Sequence, residues 1–386
     1  MTREAVIVGY GRSPVGKAVR GTLADEHPVE YAAEVLNGVL KKVENLDPSE
    51  IDDIIVGCAM PQESQGMNMA RVISQRAGIP DSVSAQTVNR FCSSGLQTIA
   101  TGANAIIANQ SDIIVAGGVE SMSLVPMGFE FAGIDPWVMD NKPGVYASMG
   151  LTAENVAVKD DVNREDMDQF ALESHHKAQK AQEAGLFKKE IIPVTYGDIE
   201  GNPHIFSDDE SIRYNLTLDD LAGLGPAFQE DGGTVTAGTS SPLNDGAAFV
   251  ILMERSVAEE KGIKPIAKFV GFQVAGLDAL LMGEGPIYAI PKVMERTGLS
   301  LDDMDIIELN EAFGSQSLAC IRELELDVNK VNPRGGAIAL GHPLGATGAI
   351  LTCKALSYLE DTDGKYGLVS MCIGGGMGAA GIFEMI

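Results

Sequence analysis

Apolar positions along the chain follow two rhythms. The runs "EAVIVGY" from Glu4, "DDIIVGC" from Asp52 and "SDIIVAGGVESMS" from Ser111 are nearly continuous in apolar residues. They read as strands buried on both faces. Between them, "PVEYAAEVLNGVLKKVENL" and "NMARVISQRAG" repeat apolar residues at three- and four-residue spacing, as do Leu96, Ile99, Ala103, Ile106 and Ile107. That spacing predicts helices with one buried side. The alternation of the two patterns predicts an α/β fold with a mostly parallel sheet faced by helices. A longer amphipathic helix is expected over "NREDMDQFALESHHKAQKAQEAG", capped by Asn163 and stopped by Gly185.

The second part of the chain repeats the first. At an ungapped offset of 252, Asp53-Ile54-Ile55 falls on Asp305-Ile306-Ile307, and Cys58 falls on Asn310. The same offset carries Cys92 to Leu344, two residues from His342, and a helical run (350–359) and the strand-like "YGLVSMCIGG" follow. Two homologous α/β halves are therefore expected, residues 1–121 (completed by about 241–265) and residues 266–386. Residues 122–240, rich in charge, Met, Gly and Pro, read as an insertion that covers a site.

Composition narrows the function classes. The 386 residues can bury a large core, and 44 glycines imply many tight turns. A net charge of −26 argues against nucleic acid and anionic membrane surfaces, though not against a small anionic ligand held by local donors. No apolar run reaches the roughly 18 residues of a membrane span, and the N-terminus lacks a signal-peptide core. Five scattered cysteines without CxxC spacing suggest neither disulfides nor a metal site, and a cytoplasmic location is expected.

Four segments carry candidate chemistry. Cys92 lies where a strand-like run meets the helix of Leu96, with Ser93 and Ser94 as prospective cap oxygens. The positive helix end should favour its thiolate, making it a nucleophile. His342 in "GGAIALGHPLGATGAI" occupies the related corner of the second half and could serve as the base. Cys372 in "MCIGGGMG" offers a second thiol able to exchange protons near its ordinary pKa of about 8.5. The glycines around it allow backbone N–H groups to face an oxyanion. Asn310 of "NEAF", at a strand end, can hold a water or donate directly. Together these groups suit reversible cleavage of a carbon–carbon bond beside a thioester. Cys58, Cys320 and Cys353 read as core thiols, His175 and His176 as a solvated pair on the long helix, and His27 and His204 as surface residues.

The motifs "VNRFCSSGLQ", "GGVESMS", "MGLTAENVA", "GTVTAGTSSPLNDGAA", "NEAF", "GGAIALGHPLGATG" and "CIGGGMGAAG" closely resemble the thiolase family, nearly end to end. The resemblance implies a five-layered α-β-α-β-α fold, a loop domain that binds coenzyme A, and a homodimer or homotetramer. It also implies coenzyme A as co-substrate with no permanently bound cofactor. By the same resemblance, Cys92 is the acylated nucleophile, His342 its activator and an oxyanion donor, and Cys372 the acid/base at the α-carbon. Asn310 holds the catalytic water, and the amides of Gly374 and Cys92 form a second oxyanion hole. Arg213 and Ser241 match coenzyme A contacts, and Met149 and Phe313 are expected at the substrate.

Ser148 stands where the biosynthetic branch usually has histidine, and "CSSGLQ" and "GGVESMSLVPMG" look more like degradative 3-ketoacyl-CoA thiolases. Thiolytic cleavage in fatty acid β-oxidation is the expected function, with enzymes of that sequence as candidate partners. The alternatives are biosynthetic acetoacetyl-CoA synthesis and a non-catalytic acyl-CoA carrier. Three positions depart from the family pattern: Arg334, Glu284 in "MGEGP", and "AGLGPAF", which lacks a basic pair near the coenzyme A mouth. Glu284 is expected to point to solvent or to narrow the substrate range, since a carboxylate is costly to bury.

Overall fold

The structure is a computed structural model that describes residues 3–128, 133–198 and 200–386. The first half supplies strands β1 (Ala5–Arg12), β2 (Asp53–Gly57), β3 (Ser84–Val88), β4 (Ile113–Ser121) and β5 (Asn244–Glu254). The second supplies β6 (Ala267–Gly276), β7 (Ile306–Leu309), β8 (Tyr366–Ile373) and β9 (Met377–Met385). The sheet runs β3-β2-β4-β5-β1 and continues β6-β9-β8-β7. Read inward from either edge, the halves share one strand order, with the second half's missing strand reduced to a bridge between Ile307 and Val331. They join through the short antiparallel pairing Val6↔Lys268 and Ile7↔Ala267.

The repeat read from sequence is a repeat in space. β2 pairs with β4 at Ile54↔Val115, and β7 pairs with β8 at Ile306↔Gly367, each residue lying 252 positions beyond its counterpart. The expectation of a mostly parallel sheet needs correction. β2 is parallel to β3 and β4, and β7 to β8, but β5, β1, β6 and β9 are joined antiparallel. Apolar runs mark strands covered on both sides and carry no information on direction.

Five layers account for those runs. Helices α1 (Pro28–Leu40) and α2 (Met69–Arg76) cover one face of the first half, where Val35, Leu36 and Ile73 meet Val6, Val8 and Val115. The alternate strand residues Ile7, Ile114 and Ala116 face a central pair, α3 (Ser94–Ile107) and, numbered here in chain order, α8 (Leu344–Thr362). The same central core takes Phe269, Ile306, Val369 and Phe383 from the second half. Beyond it, Ile307, Leu309 and Ile382 pack against α6 (Gly285–Thr297) and α7 (Gly314–Glu323). Two longer helices, α4 (Met149–Lys159) and α5 (Arg164–Glu183), lie within residues 122–240. Period-two alternation thus sends neighbouring residues into different cores.

The central helices touch backbone to backbone. A Cβ on Gly95 would lie 2.7 Å from the Ala349 nitrogen, and one on Gly348 would lie 2.2 Å from that of Leu96. Both contacts fall within the first two turns, so the two N-termini, and the residues that precede them, come together.

The insertion is anchored beside them. Asn163 caps α5 by accepting from the Asp166 N–H at 2.8 Å, and Gly185 follows with φ of +71°. Arg12, fully buried, pairs with Glu190 at 2.8 Å and Asp209 at 2.7 Å. Arg334 has a role of the same kind: it donates to Asp361 at 2.6 Å, Ser357 at 3.2 Å and the Leu186 carbonyl at 3.3 Å. It ties the insertion to α8.

Candidate active site

Cys92 sits in a 3-10 turn (Phe91–Ser93) immediately before α3. Its predecessor Phe91 has φ of +44°, a left-handed conformation uncommon for a bulky residue. The expected serine cap is absent. Ser93 Oγ donates to the Arg90 carbonyl at 3.2 Å, and Ser94 Oγ donates to that of Phe91 at 2.7 Å while accepting from the Arg90 N–H at 2.9 Å. The serines shape the turn and leave the helix end open.

The cysteine sulfur accepts from the Gly374 N–H and from its own N–H, both of which favour thiolate. Burial nonetheless outweighs them and pushes the thiol up to about 11. The helix end favours the thiolate without producing it at rest, so Cys92 needs a base, the part expected of His342. Cys372 is buried as well, and burial followed by the neighbouring Cys92 raises its thiol well above the ordinary range. Gly374 lies beside both Met149 and Phe91: a Cβ there would be 3.4 Å from Met149 Sδ and 3.9 Å from Phe91 Cδ2.

His342 approaches from the start of α8, and Leu344 packs in one cluster with Cys92, Ala59 and Met122. Thr347 Oγ1 donates to the Pro343 carbonyl at 2.9 Å, so it accepts from His342 Nδ1 at 2.6 Å. The imidazole therefore carries its proton on Nδ1 and presents the Nε2 lone pair. Burial holds its pKa down to about 4, so at neutral pH it is an unprotonated base. Nε2 meets Asn310 Nδ2 at 3.4 Å. Asn310 Oδ1 is buried without a partner among the described residues, an acceptor left free for a hydrogen-bond donor.

The turn around Asn310 gathers two further expected residues. Ser241 N–H donates to the Ala312 carbonyl at 3.0 Å, and Ser240 bridges to Phe313. Phe313 packs edge-on against Phe228 of "AGLGPAF", with ring centres 5.8 Å apart. Cys372, Phe313 and Met149 belong to one apolar cluster. Arg213 is exposed and is tied instead to α5, where its N–H donates to His175 Nδ1 at 3.1 Å. His175 is thus no solvated residue: it is buried, and burial followed by the Arg213 charge lowers its pKa to about 4. His176 alone of the pair is exposed.

The first of the two expectations for Glu284 is corrected. It is buried rather than solvated, and Lys159 of α4 pairs with it at 2.5 Å. Two functional neighbours went unread in the sequence. Thr347, five residues after His342, fixes its tautomer. Glu120 emerges from the 252 offset, which places it on Cys372, yet its carboxylate bears no resemblance to a thiol and gave no signal by type. Among the described residues there is no group of three or more His, Cys, Asp or Glu able to hold a metal, and no helix long and apolar enough to cross a membrane.

Comparison with known proteins adds to this geometry. Residues 5–256 match the family model "Thiolase, N-terminal domain" and residues 263–385 match "Thiolase, C-terminal domain". The chain is 49% identical over 391 residues to a 3-ketoacyl-CoA thiolase of Bacillus subtilis, covering 99% of this chain and 100% of that one. It is 44% identical over 390 residues to a peroxisomal 3-ketoacyl-CoA thiolase of Arabidopsis thaliana, covering 99% and 87%. Among solved structures, an acetyl-CoA acetyltransferase of Bacillus anthracis superposes with a TM-score of 0.93 at 40% identity, covering 100% of this chain and 99% of that one.

Proposed function

The chain belongs to the thiolase family, a family of acyltransferases, and from that premise we propose that it cleaves 3-ketoacyl-CoA with coenzyme A to acetyl-CoA and a shortened acyl-CoA. The observation that carries the reading is the convergence on Cys92. Its sulfur faces the Gly374 N–H, Cys372 stands beside it, and His342, a neutral imidazole, is held at the adjoining helix end.

Each group has a step. His342 Nε2 takes the Cys92 proton, and the thiolate attacks the 3-keto carbon. The imidazolium Nε2–H and a water held by Asn310 stabilise the tetrahedral oxyanion. Collapse breaks the C2–C3 bond, and the departing acetyl-CoA enolate takes the proton of Cys372. The N–H groups of Cys92 and Gly374 stabilise that enolate oxygen. Cys372 thiolate then deprotonates coenzyme A, whose thiolate attacks the acyl-cysteine and releases Cys92 to recover its proton from His342.

The division into residues 1–121 completed by 241–265, an insertion 122–240 and residues 266–386 belongs to this proposal. The insertion would hold coenzyme A, with Arg213 and Ser241 at the nucleotide end and Met149 and Phe313 at the acyl end. A cytoplasmic homodimer or homotetramer in fatty acid β-oxidation completes it; the edge strand β3, paired on one side only and partly exposed, supports self-association. The reverse reaction, condensation of two acetyl-CoA, is favoured by the similarity to the acetyltransferase structure and uses the same groups.

The test is acetyl-CoA release from acetoacetyl-CoA and from 3-ketooctanoyl-CoA with free coenzyme A, beside Cys92→Ser. Cleavage of both, faster for the longer chain and lost in the variant, is expected. Activity confined to the four-carbon substrate would shift the assignment to the biosynthetic reaction.

A further inference from the structure

One buried carboxylate serves neither acid/base step. Glu120 closes β4 and is fully buried. Its Oε2 accepts from Gly345 N–H at 2.7 Å and Ala59 N–H at 2.8 Å. Its Oε1 accepts from Gln65 Nε2 at 2.7 Å and Met60 N–H at 3.2 Å, with the Cys58 thiol at 3.7 Å. All five groups donate, a set that favours the ionised carboxylate and opposes the burial that raises its pKa above the ordinary carboxylate value.

Two of these contacts lead to the two reactive corners. Gly345 is in the first turn of α8, whose cap residue is Pro343 and supplies no side-chain cap. Glu120 provides the missing acceptor from the other half of the molecule, three residues from His342. No side chain fits between: a Cβ on Gly345 would lie 2.8 Å from Glu120 Oε2, and one on Gly118 would lie 2.0 Å from the Gly345 carbonyl. On the other side, the Ala59 carbonyl accepts from Asn89 Nδ2 at 3.0 Å, and Asn89 Oδ1 accepts from the Phe91 N–H at 2.8 Å. Phe91 is the residue with positive φ that delivers Cys92.

We propose that Glu120 is a positioning residue that sets the register between Cys92 and His342 by holding both corners on one carboxylate. The inference rests on the roles given to those two residues above and adds what aligns them. A base must stand within hydrogen-bond reach of the proton it removes, and small displacements there cost large factors in rate. Glu120→Gln keeps the shape but turns an NH2 toward backbone N–H groups, which can only donate.

The experiment is single-turnover acylation of Cys92 in the full chain by acetyl-CoA, followed by mass spectrometry, with steady-state kcat and KM. Iodoacetamide alkylation against pH is run on the same proteins. Wild type, Glu120→Gln and Asn89→Ala are compared, the last interrupting only the Cys92 branch. The expected result for Glu120→Gln is acylation slowed about 100-fold, with the KM for coenzyme A little changed and the alkylation profile moved to lower pH, because the Glu120 charge that raises the Cys92 thiol is gone. Asn89→Ala should slow acylation by a smaller factor with the KM for coenzyme A and the alkylation profile little changed, and it keeps the proposal testable if Glu120→Gln does not fold. Acylation at the wild-type rate in the folded variants overturns the positioning role alone. So does a loss that tracks only the folded fraction, with the Glu120→Gln pH profile unmoved. A wild type that is never acylated at Cys92 overturns the catalytic reading itself, and this role with it.

Discussion

The two halves end their strands at matching places and use them differently. In the first half, the strand ends carry Cys58 and Glu120; in the second, the same positions carry Asn310 and Cys372. The first pair is closed, with the Glu120 carboxylate surrounded by five donors and Cys58 one of them. The second pair is open. Among the described residues Asn310 Oδ1 has no partner, and the Cys372 sulfur accepts from its own N–H and from no other residue's side chain. A satisfied polar group fixes geometry, whereas an unsatisfied one in a buried site is available to substrate. The duplicated fold thus separates holding from reacting.

Substitutions can break this contrast. Cys372→Ala should slow carbon–carbon cleavage by about 10³-fold while leaving acylation of Cys92 by acetyl-CoA detectable, as product assays and mass spectrometry would show. Asn310→Ala should lower kcat by about 10²-fold, measured at saturating substrate, because a buried donor and water anchor is lost. If either leaves the rate intact, the second half is no more reactive than the first.

The pH dependence sharpens the same picture. With Cys92 raised to about 11, the thiolate fraction below that value grows with pH, so alkylation of the resting thiol should climb roughly tenfold per unit from pH 7 to 9. A flat profile would mean a preformed thiolate. For stability the sign is reversed. His342 and His175 have folded values of about 4, below the ordinary 6.5, so the native state excludes protons that the unfolded chain binds. Stability is full above pH 6.5 and falls toward pH 4, by about 2 kcal/mol per histidine at pH 5. Urea denaturation at pH 7 and 5 should show the loss, reduced in His175→Gln. Smallest of all, Cys58→Ala should change kcat little and cost about 1 kcal/mol, read from the same denaturation curves.

The strands and the helices that face them were legible because strands covered on both faces must be apolar throughout and helices against them apolar on their buried sides; the stacking into five layers was implied only by the resemblance to the thiolase family. The repeat, the Asn163 cap and the reactive residue types at Cys92, His342, Cys372 and Asn310 were legible for a related reason: each is a local or periodic property. Strand direction was not, since burial is indifferent to it. Nor was the protonation of Cys92: a helix end is visible in sequence, but the desolvation that overrides it depends on Ala59, Met122 and Leu344 arriving from distant segments. His175 reads as solvated beside His176 until residues near Arg213 fold over it. The tautomer of His342 and the grip of Glu120 on both corners likewise exist only after the halves meet. Sequence determined which groups are present and on what scaffold; tertiary structure decided their charge, partners and alignment, because solvation and hydrogen bonding are set by neighbours in space.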